Sequence, residues 1–401
     1  MRSFTFLAFA ATALCSIASA SLVPARIQER ALEYVVKPKV FIISMFDPEA
    51  DIWYNIPEFN LLELNVTVPG FSPLFPDAHC TADGEVCQLI TGESEINAAV
   101  TVSSLVRSPR FDLTTTYFMV AGIGGVNPEV ATIASVTFAR YAIQVALQYE
   151  FSQFDIPTNY TSGYIPQGSD SADEYPQSIY GTEVFEFNQD LQKIAANFAR
   201  KATLNDSDDA IVYRANYAPN ANYAAAVAGP AVYECDVATS DTYFSGTTLG
   251  TAFGNYTKLV TNGTGVYCTT AQEDNATGEA LLRAAAEKLV DFSRIIVMRT
   301  ASDFDRPYPG EAATTNLLYS PNQGGFGPAI QNIYLAGIEV VTGILDGWNS
   351  TFAAGVNASN YVGDIFGTLQ GGKTQDFGPY VFSNAVTKRS LPVKRTYTHR
   401  Y

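Results

Sequence analysis

The chain has 401 residues, 47% hydrophobic and 16% charged, and its 40 acidic against 24 basic side chains leave a formal charge of −16. That is ample material for a core, with a surface too acidic for nucleic acid or an anionic membrane. Only His79 and His399 are histidines, which excludes most Ser-His-Asp and Cys-His catalysis and histidine metal sites. Any chemistry has to run on carboxylates, backbone dipoles and neutral polar groups, and no cofactor is expected.

Residues 1–20 read as a secretory leader: Arg2 is the positive end, Phe4 to Ile17 the apolar stretch, and Ala18-Ser19-Ala20 the cleavage signature. The stretch is too short to span a bilayer. Residues 21–36 read as a pro-segment. Removing the leader leaves roughly 380 residues, enough for one large α/β domain or two smaller ones. Sequons at Asn65, Asn159, Asn205, Asn255, Asn262, Asn275, Asn349 and Asn357 agree with a secreted or cell-surface glycoprotein. Outside the leader, Cys80, Cys87, Cys235 and Cys268 form an even set. Cys80–Cys87 with Cys235–Cys268 is the simplest of three connectivities.

Val40 to Ile43 reads as a buried strand running into Ser44-Met45-Phe46-Asp47-Pro48-Glu49-Ala50. Asp47 suits a helix N-cap, Pro48 the first helical position, and Glu49 the first turn. That is a complete structural account of Glu49. The functional account is a general base presented into a cleft at a strand end. Trp53 to Asp83, rich in Pro, Asn and aromatic residues, reads as an insertion.

Gln88 to Thr91 reads as a short strand, followed by Gly92 and a helix from Ser94 to about Val106. Ser94 suits its cap, with Ile96, Ala99, Val100 and Leu105 near one face. Asp112 to Ala121 is the next strand, and its apolar end, Tyr117 to Ala121, runs into Gly122, Gly124 and Gly125. Such glycines make a tight turn between core elements, or a cup of bare amides for a polar ligand at a strand end.

Ala142 to Tyr149 reads as a strand, Glu183 to Ala202 holds a helix capped near Asn188, and Val227 to Val237 is a strand. Ser240 to Gly246 follows it with Tyr243 and Phe244, either able to stack on a flat ring or to pack the core. Gly278 to Ser293 is amphipathic, Arg294 to Arg299 is a strand ending in Thr300 to Arg306, and Pro328 to Trp348 is a last helix. That helix carries Gln331, Asn332, Glu339 and Asp346, so it is a poor membrane span, and no other stretch after the leader is one. Alternating strands and helices give an α/β fold with a mainly parallel central sheet flanked by helices. The basic tail over residues 386–401 reads as disordered.

The segments SMFDPEA at 44–50, TGESEINAA at 91–99, VAGIGGVNP at 120–128, SDTYFSG at 240–246, AQEDNATGEAL at 271–281 and MRTASDFDRP at 298–307 occur in the order of a known set of motifs. Together the chain resembles the purine nucleoside permease family of fungi and bacteria, itself similar to the nucleoside phosphorylase and nucleosidase superfamily. The resemblance implies a single nucleoside phosphorylase-like domain over residues 37–385, with the insertion at 53–83. It implies that Asp303, in a segment like the family's R-A-x-S-D, handles the proton at purine N7. Glu273 or Asp274 would hold ribose hydroxyls, although Q-E-D stands here where the family has E-M-E. Tyr243 would stack on the purine, and Gly124 and Gly125 would face base and sugar. Asp47, Glu49 and Asp51 look like the nucleosidase form of the first turn, where a glutamate activates water, and three carboxylates there would repel phosphate.

The family name implies transport, which a chain with no spanning helix cannot perform alone. Three functions follow. The first is binding of extracellular purine nucleosides for uptake, with a separate transporter as partner. The second is a secreted purine nucleosidase, for which hydrolysis fits better than phosphorolysis. The third is a storage protein on the same fold. Relatives of this fold often form homo-oligomers, and nothing in the sequence selects one.

Overall fold

The computed structural model describes residues 35–320, 322–369 and 375–377. The leader, the pro-segment up to residue 34 and the basic tail lie outside the described residues. Strand β1 (Val40–Ser44) leads into a one-turn helix, α1 (Asp47–Asp51). Phe46, not Asp47, holds the cap position of α1, in extended conformation and without a side-chain cap bond. The segment read as an insertion forms a hairpin, β2 (Leu64–Thr67) and β3 (Asp77–Cys80), and β3 pairs antiparallel with β4 (Val86–Ile90). Cys80 and Cys87 stand opposite each other in that pairing and are joined as a disulfide.

Helix α2 (Glu95–Val106) follows. It buries Ala98, Thr101, Val102, Leu105 and Val106, while Ile96 and Val100 are exposed, so its buried face is turned from the expected one. Ser94 precedes it at φ 82° and makes no side-chain cap bond.

Strand β5 (Tyr117–Val126) takes in the whole glycine segment, and residues 112–116 stay outside it. Next come β6 (Val136–Ala139), β7 (Tyr141–Gln144), the small hairpin β8 (Gln148–Glu150) and β9 (Tyr164–Pro166), and β10 (Val184–Glu186). Helix α3 (Gln189–Ala199) is capped as expected, the Asn188 side chain accepting from Asp190 and Leu191 amides. Helix α4 (Asp208–Arg214), strands β11 (Val232–Glu234) and β12 (Asp236–Thr239), and helix α5 (Thr247–Val260) lead to β13 (Tyr267–Ala271). Helix α6 (Asp274–Ala286), strand β14 (Ile295–Phe304), helix α7 (Phe326–Asp346) and the short β15 (Gly363–Asp364) complete the order. Cys235 and Cys268 are joined, tying the β11–β12 junction to β13.

The sheet is mixed rather than mainly parallel. Pairings of β1 with β4 and β5, of β5 with β14, and of β12 with β7 and β13 are parallel. The β2–β3–β4 edge, the β7–β10–β15 edge and the β14–β6 pair are antiparallel. The β2–β3 and β3–β4 pairings are local, whereas β6–β14 and β10–β15 join strands far apart in the chain.

Both faces of the central strands are covered, which is why their sequences are apolar without alternation. On β1, Phe41 and Ile43 join a cluster with Leu105 of α2 and Leu281 of α6. Val40 and Ile42 join the opposite cluster with Leu191 of α3 and Ile333 of α7. Among the described residues, α7 is the one helix long and apolar enough to cross a membrane. It packs on β14, β5 and α3 as a core helix, and 56% of its most apolar window is buried.

Candidate functional site

Strands β5 and β14 run side by side, with Gly122 opposite Arg299, Gly124 opposite Ala301, and Gly125 opposite Asp303 after a bulge. A cleft of about 270 Å³ opens over this pair. The glycines do not form a turn. They are strand residues whose missing side chains let neighbours approach. A Cβ on Gly122 would stand 2.0 Å from Met45 Cε and 2.6 Å from Glu49 Oε1, and one on Gly124 would stand 2.0 Å from the Thr270 carbonyl oxygen. The expected cup of bare amides is also absent here. The Ile123 N–H donates to Glu49 Oε1 at 2.7 Å and the Gly125 N–H to Thr270 Oγ1 at 2.9 Å.

Helix α1 delivers Glu49 into the cleft, 2% exposed. Its second oxygen accepts from the Met45 N–H at 2.8 Å. Burial pushes its carboxyl up to about 8, against the pull of Arg299 and the two amides. Asp47 and Asp51 are exposed and do not line the cleft, so one of the three expected carboxylates faces it.

At the end of β13, Glu273 lines the cleft while Asp274 lies beneath it, and both are buried. Asp274 is held by Arg299, with Nε at 3.2 Å and Nη2 at 2.5 Å. The same Nη2 donates to Glu273 Oε2 at 3.1 Å, and Glu273 Oε1 accepts from the Ser94 N–H at 2.9 Å. Burial raises the Glu273 carboxyl, and Arg299 opposes it. Asp274 is therefore placed to anchor Arg299, and Glu273 is the acid of this pair that a ligand can reach.

Asn275 is 2% exposed, and its side chain bonds to Thr239 Oγ1 and the Thr182 carbonyl. A glycan on it is incompatible with this packing. Asn65, Asn159, Asn255, Asn262, Asn349 and Asn357 are exposed, and Asn205 is half-buried with its amide donating to Gln331.

Asp303 follows the bulge in β14 and lines the cleft. Ser302 Oγ lies 2.6 Å from Asp303 Oδ1 and 3.1 Å from the Gly124 carbonyl. Burial lifts the Asp303 carboxyl to about 6, with Ser302 opposing and Asp305 adding to the rise. Asp305 is locked by Arg306 at 2.8 and 2.9 Å and by the Tyr267 hydroxyl at 2.5 Å. Tyr243 stands at the rim, 69% exposed, its hydroxyl toward Gln272. Phe244 also lines the cleft and packs edge-on against Phe253.

Sequence reasoning assigned no role to Met45, Thr270, Leu317 and Phe326, which also line the cleft, or to Arg299. Of these only Arg299 left a signal, being a charged residue inside an apolar strand. His79 lies elsewhere, against Asn65. Among the described residues no group of three or more His, Cys, Asp and Glu is arranged to hold a metal ion.

The fold and cleft define a mixed α/β protein with an acidic cleft over its central strands β5 and β14. Residues 37–357 match the purine nucleoside permease family. The chain is 45% identical over 356 residues to a purine nucleoside permease of Candida albicans, covering 88% of this chain and 86% of that one. It is 38% identical over 341 residues to a probable purine nucleoside permease of Schizosaccharomyces pombe, covering 83% and 96%. This chain belongs to the purine nucleoside permease family. Among solved structures, a 5′-methylthioadenosine/S-adenosylhomocysteine nucleosidase from Neisseria meningitidis aligns at 14% identity and a TM-score of 0.44, covering 77% of this chain and 100% of that one. The futalosine hydrolase of Helicobacter pylori aligns at 14% identity and a TM-score of 0.45, covering 77% and 98%.

Proposed function

We propose that this protein binds purine nucleosides outside the cell in the cleft over β5 and β14 and serves their uptake. One observation carries the reading. Glu49, Glu273 and Asp303, far apart in the chain, line the same cleft, with Tyr243 at its rim. In this reading Glu273 accepts from ribose hydroxyls, Asp303 shares a proton with purine N7, and Tyr243 or Phe244 covers the ring. In this reading the leader is removed, the exposed sequons carry glycans, residues 37–385 act as one domain, and a separate membrane protein moves the ligand. Glycosidase treatment of the secreted chain should lower its mass, with Asn275 unmodified. The deciding experiment is uptake of labelled adenosine by cells with and without the protein. Uptake that falls in its absence and returns with the full chain supports the reading, and unchanged uptake sinks it.

The pairing of Glu49 and Asp303 in one cleft favours a second reading, hydrolysis of the N-glycosidic bond. Asp303 gives its proton to N7, so the purine leaves neutral as the C1′–N9 bond breaks. Glu49 takes a proton from the water whose oxygen bonds to C1′, and solvent returns that proton to Asp303. Release of free base from adenosine or inosine without phosphate tests this. Release that requires phosphate would make the protein a phosphorylase instead.

A further inference from the structure

We infer that the cleft admits purine nucleosides only in unphosphorylated form, and that 5′-nucleotides, ribose 1-phosphate and inorganic phosphate are turned away by charge rather than by size. The inference rests on the nucleoside reading above.

A phosphate needs cationic side chains, a helix N-terminus or a row of free amides. The cleft and its rim hold such donors, and the ones nearest the acidic side chains are already engaged by the protein. Arg299 is the one Lys or Arg side chain among the described residues that line it. Its Nε and Nη2 hold Asp274, Nη2 also holds Glu273, and Nη1 donates to the Ile123 carbonyl at 3.0 Å. The Met45 and Ile123 amides are taken by Glu49, and the Gly125 amide by Thr270. At the N-terminus of α2 (Glu95–Val106), beside the cleft, two amides are taken in the same way. Ser94 N–H donates to Glu273, and Glu95 N–H donates to Asp241 Oδ1 at 3.0 Å.

Carboxylates and hydroxyls of the protein thus stand where ligand anions would have to bind. Glu93, exposed on the same cleft, adds another carboxylate. An entering phosphate dianion would shed water, displace an internal bond to gain a strong donor, and face Glu273 and Asp303 at short range. A nucleoside meets none of these costs, because its hydroxyls donate to carboxylates.

The inference also fixes a place in a reaction sequence. Nucleotides released outside the cell would have to lose their phosphate by phosphomonoester hydrolysis before this protein could take them.

The test uses the purified full chain and three ligands in equilibrium binding: adenosine, adenosine 5′-monophosphate and 5′-O-sulfamoyladenosine. The last carries a neutral group of phosphate size. Adenosine and the sulfamoyl compound should bind within about tenfold of each other, and the monophosphate at least about 100-fold more weakly. Monophosphate binding close to that of adenosine overturns the inference. Loss of the sulfamoyl compound together with the monophosphate also overturns it, since size would then be the cause. Failure of adenosine itself to bind removes the nucleoside reading on which the inference stands.

Discussion

Gly122 lies opposite Arg299 in the β5–β14 ladder, and a Cβ on Gly122 would stand 2.8 Å from Arg299 Nη1 as well as 2.6 Å from Glu49 Oε1. One methyl group would therefore clash with the Glu49 carboxyl and the Arg299 guanidinium at once. Gly122→Ala is expected to lower adenosine affinity by at least about tenfold while costing about 1–3 kcal/mol of stability, as overpacking does. Titration with adenosine and urea unfolding of the same variant measure the two effects. Unchanged affinity would show that the strand yields and that its glycine is not a device of the site.

Arg299 is 2% exposed, with Asp274 and Glu273 buried around it. Replacing it by methionine leaves two buried carboxylates without their cation. The expected loss is about 3–5 kcal/mol near neutral pH, the range for breaking a buried pair from one side. The deficit should shrink on acidification, because protonation removes the unpaired charges. Thermal unfolding at pH 5 and pH 7.5 checks this, and an equal deficit at both values would contradict it.

What was legible in the sequence was what local chemistry decides. Val40–Ile43 and Tyr117–Ala121 read correctly as buried strands, because a sheet covered on both faces needs unbroken apolar runs. Asn188 read correctly as a cap because its bonds go two and three residues ahead. The glycine segment was misread, since glycine's two uses, positive φ and close approach, look alike in one chain. Its second use becomes visible only when Met45, Glu49 and Thr270 are in place. Helix α5 was missed because its Thr- and Gly-rich sequence lacks strong helix formers, and packing supplies what propensity does not. The division between Glu273 and Asp274 depends on Arg299, twenty-five residues from Asp274 in the chain, and no spacing rule reports it.

Asp303→Asn separates function from folding. The folded carboxyl is raised from its ordinary 3.8 to about 6, chiefly by burial. A carboxyl raised in this way adds stability that is full below its unfolded value and is lost as pH climbs through 6. The neutral asparagine avoids that loss. The variant should match the parent near pH 4 and be more stable at pH 8, by on the order of 1–3 kcal/mol. Glu49 and Asp236 are raised in the same direction, so the parent itself should lose stability between pH 4 and pH 8. Asp83 and Asp112 are lowered by their surface partners and act the other way in the acid range. At the same time the variant should bind purine nucleosides more weakly and, if the cleft hydrolyses them, release no base. An asparagine variant that unfolds at every pH would mean that Asp303 is a structural residue.

If the cleft hydrolyses nucleosides, its pH profile follows from the two carboxyls. Glu49, near 8, has to be ionised to take the proton from water, and Asp303, near 6, has to be protonated to serve N7. The base is thus the weaker acid of the two, and the state with both groups correct is a minor one. Taking the two groups as independent, it reaches about 1% of molecules near pH 7 and falls on either side. The rate of base release at low substrate should therefore be bell-shaped, with limbs near 6 and 8 and a maximum close to neutrality. Glu49→Gln should abolish release while leaving adenosine binding within about tenfold, because the glutamine keeps one acceptor for the two amides that Glu49 now serves. Base release measured from pH 5 to pH 9 decides the matter. A rate that rises steadily to pH 9 would remove Asp303 as the acid, and one that rises steadily toward pH 5 would remove Glu49 as the base.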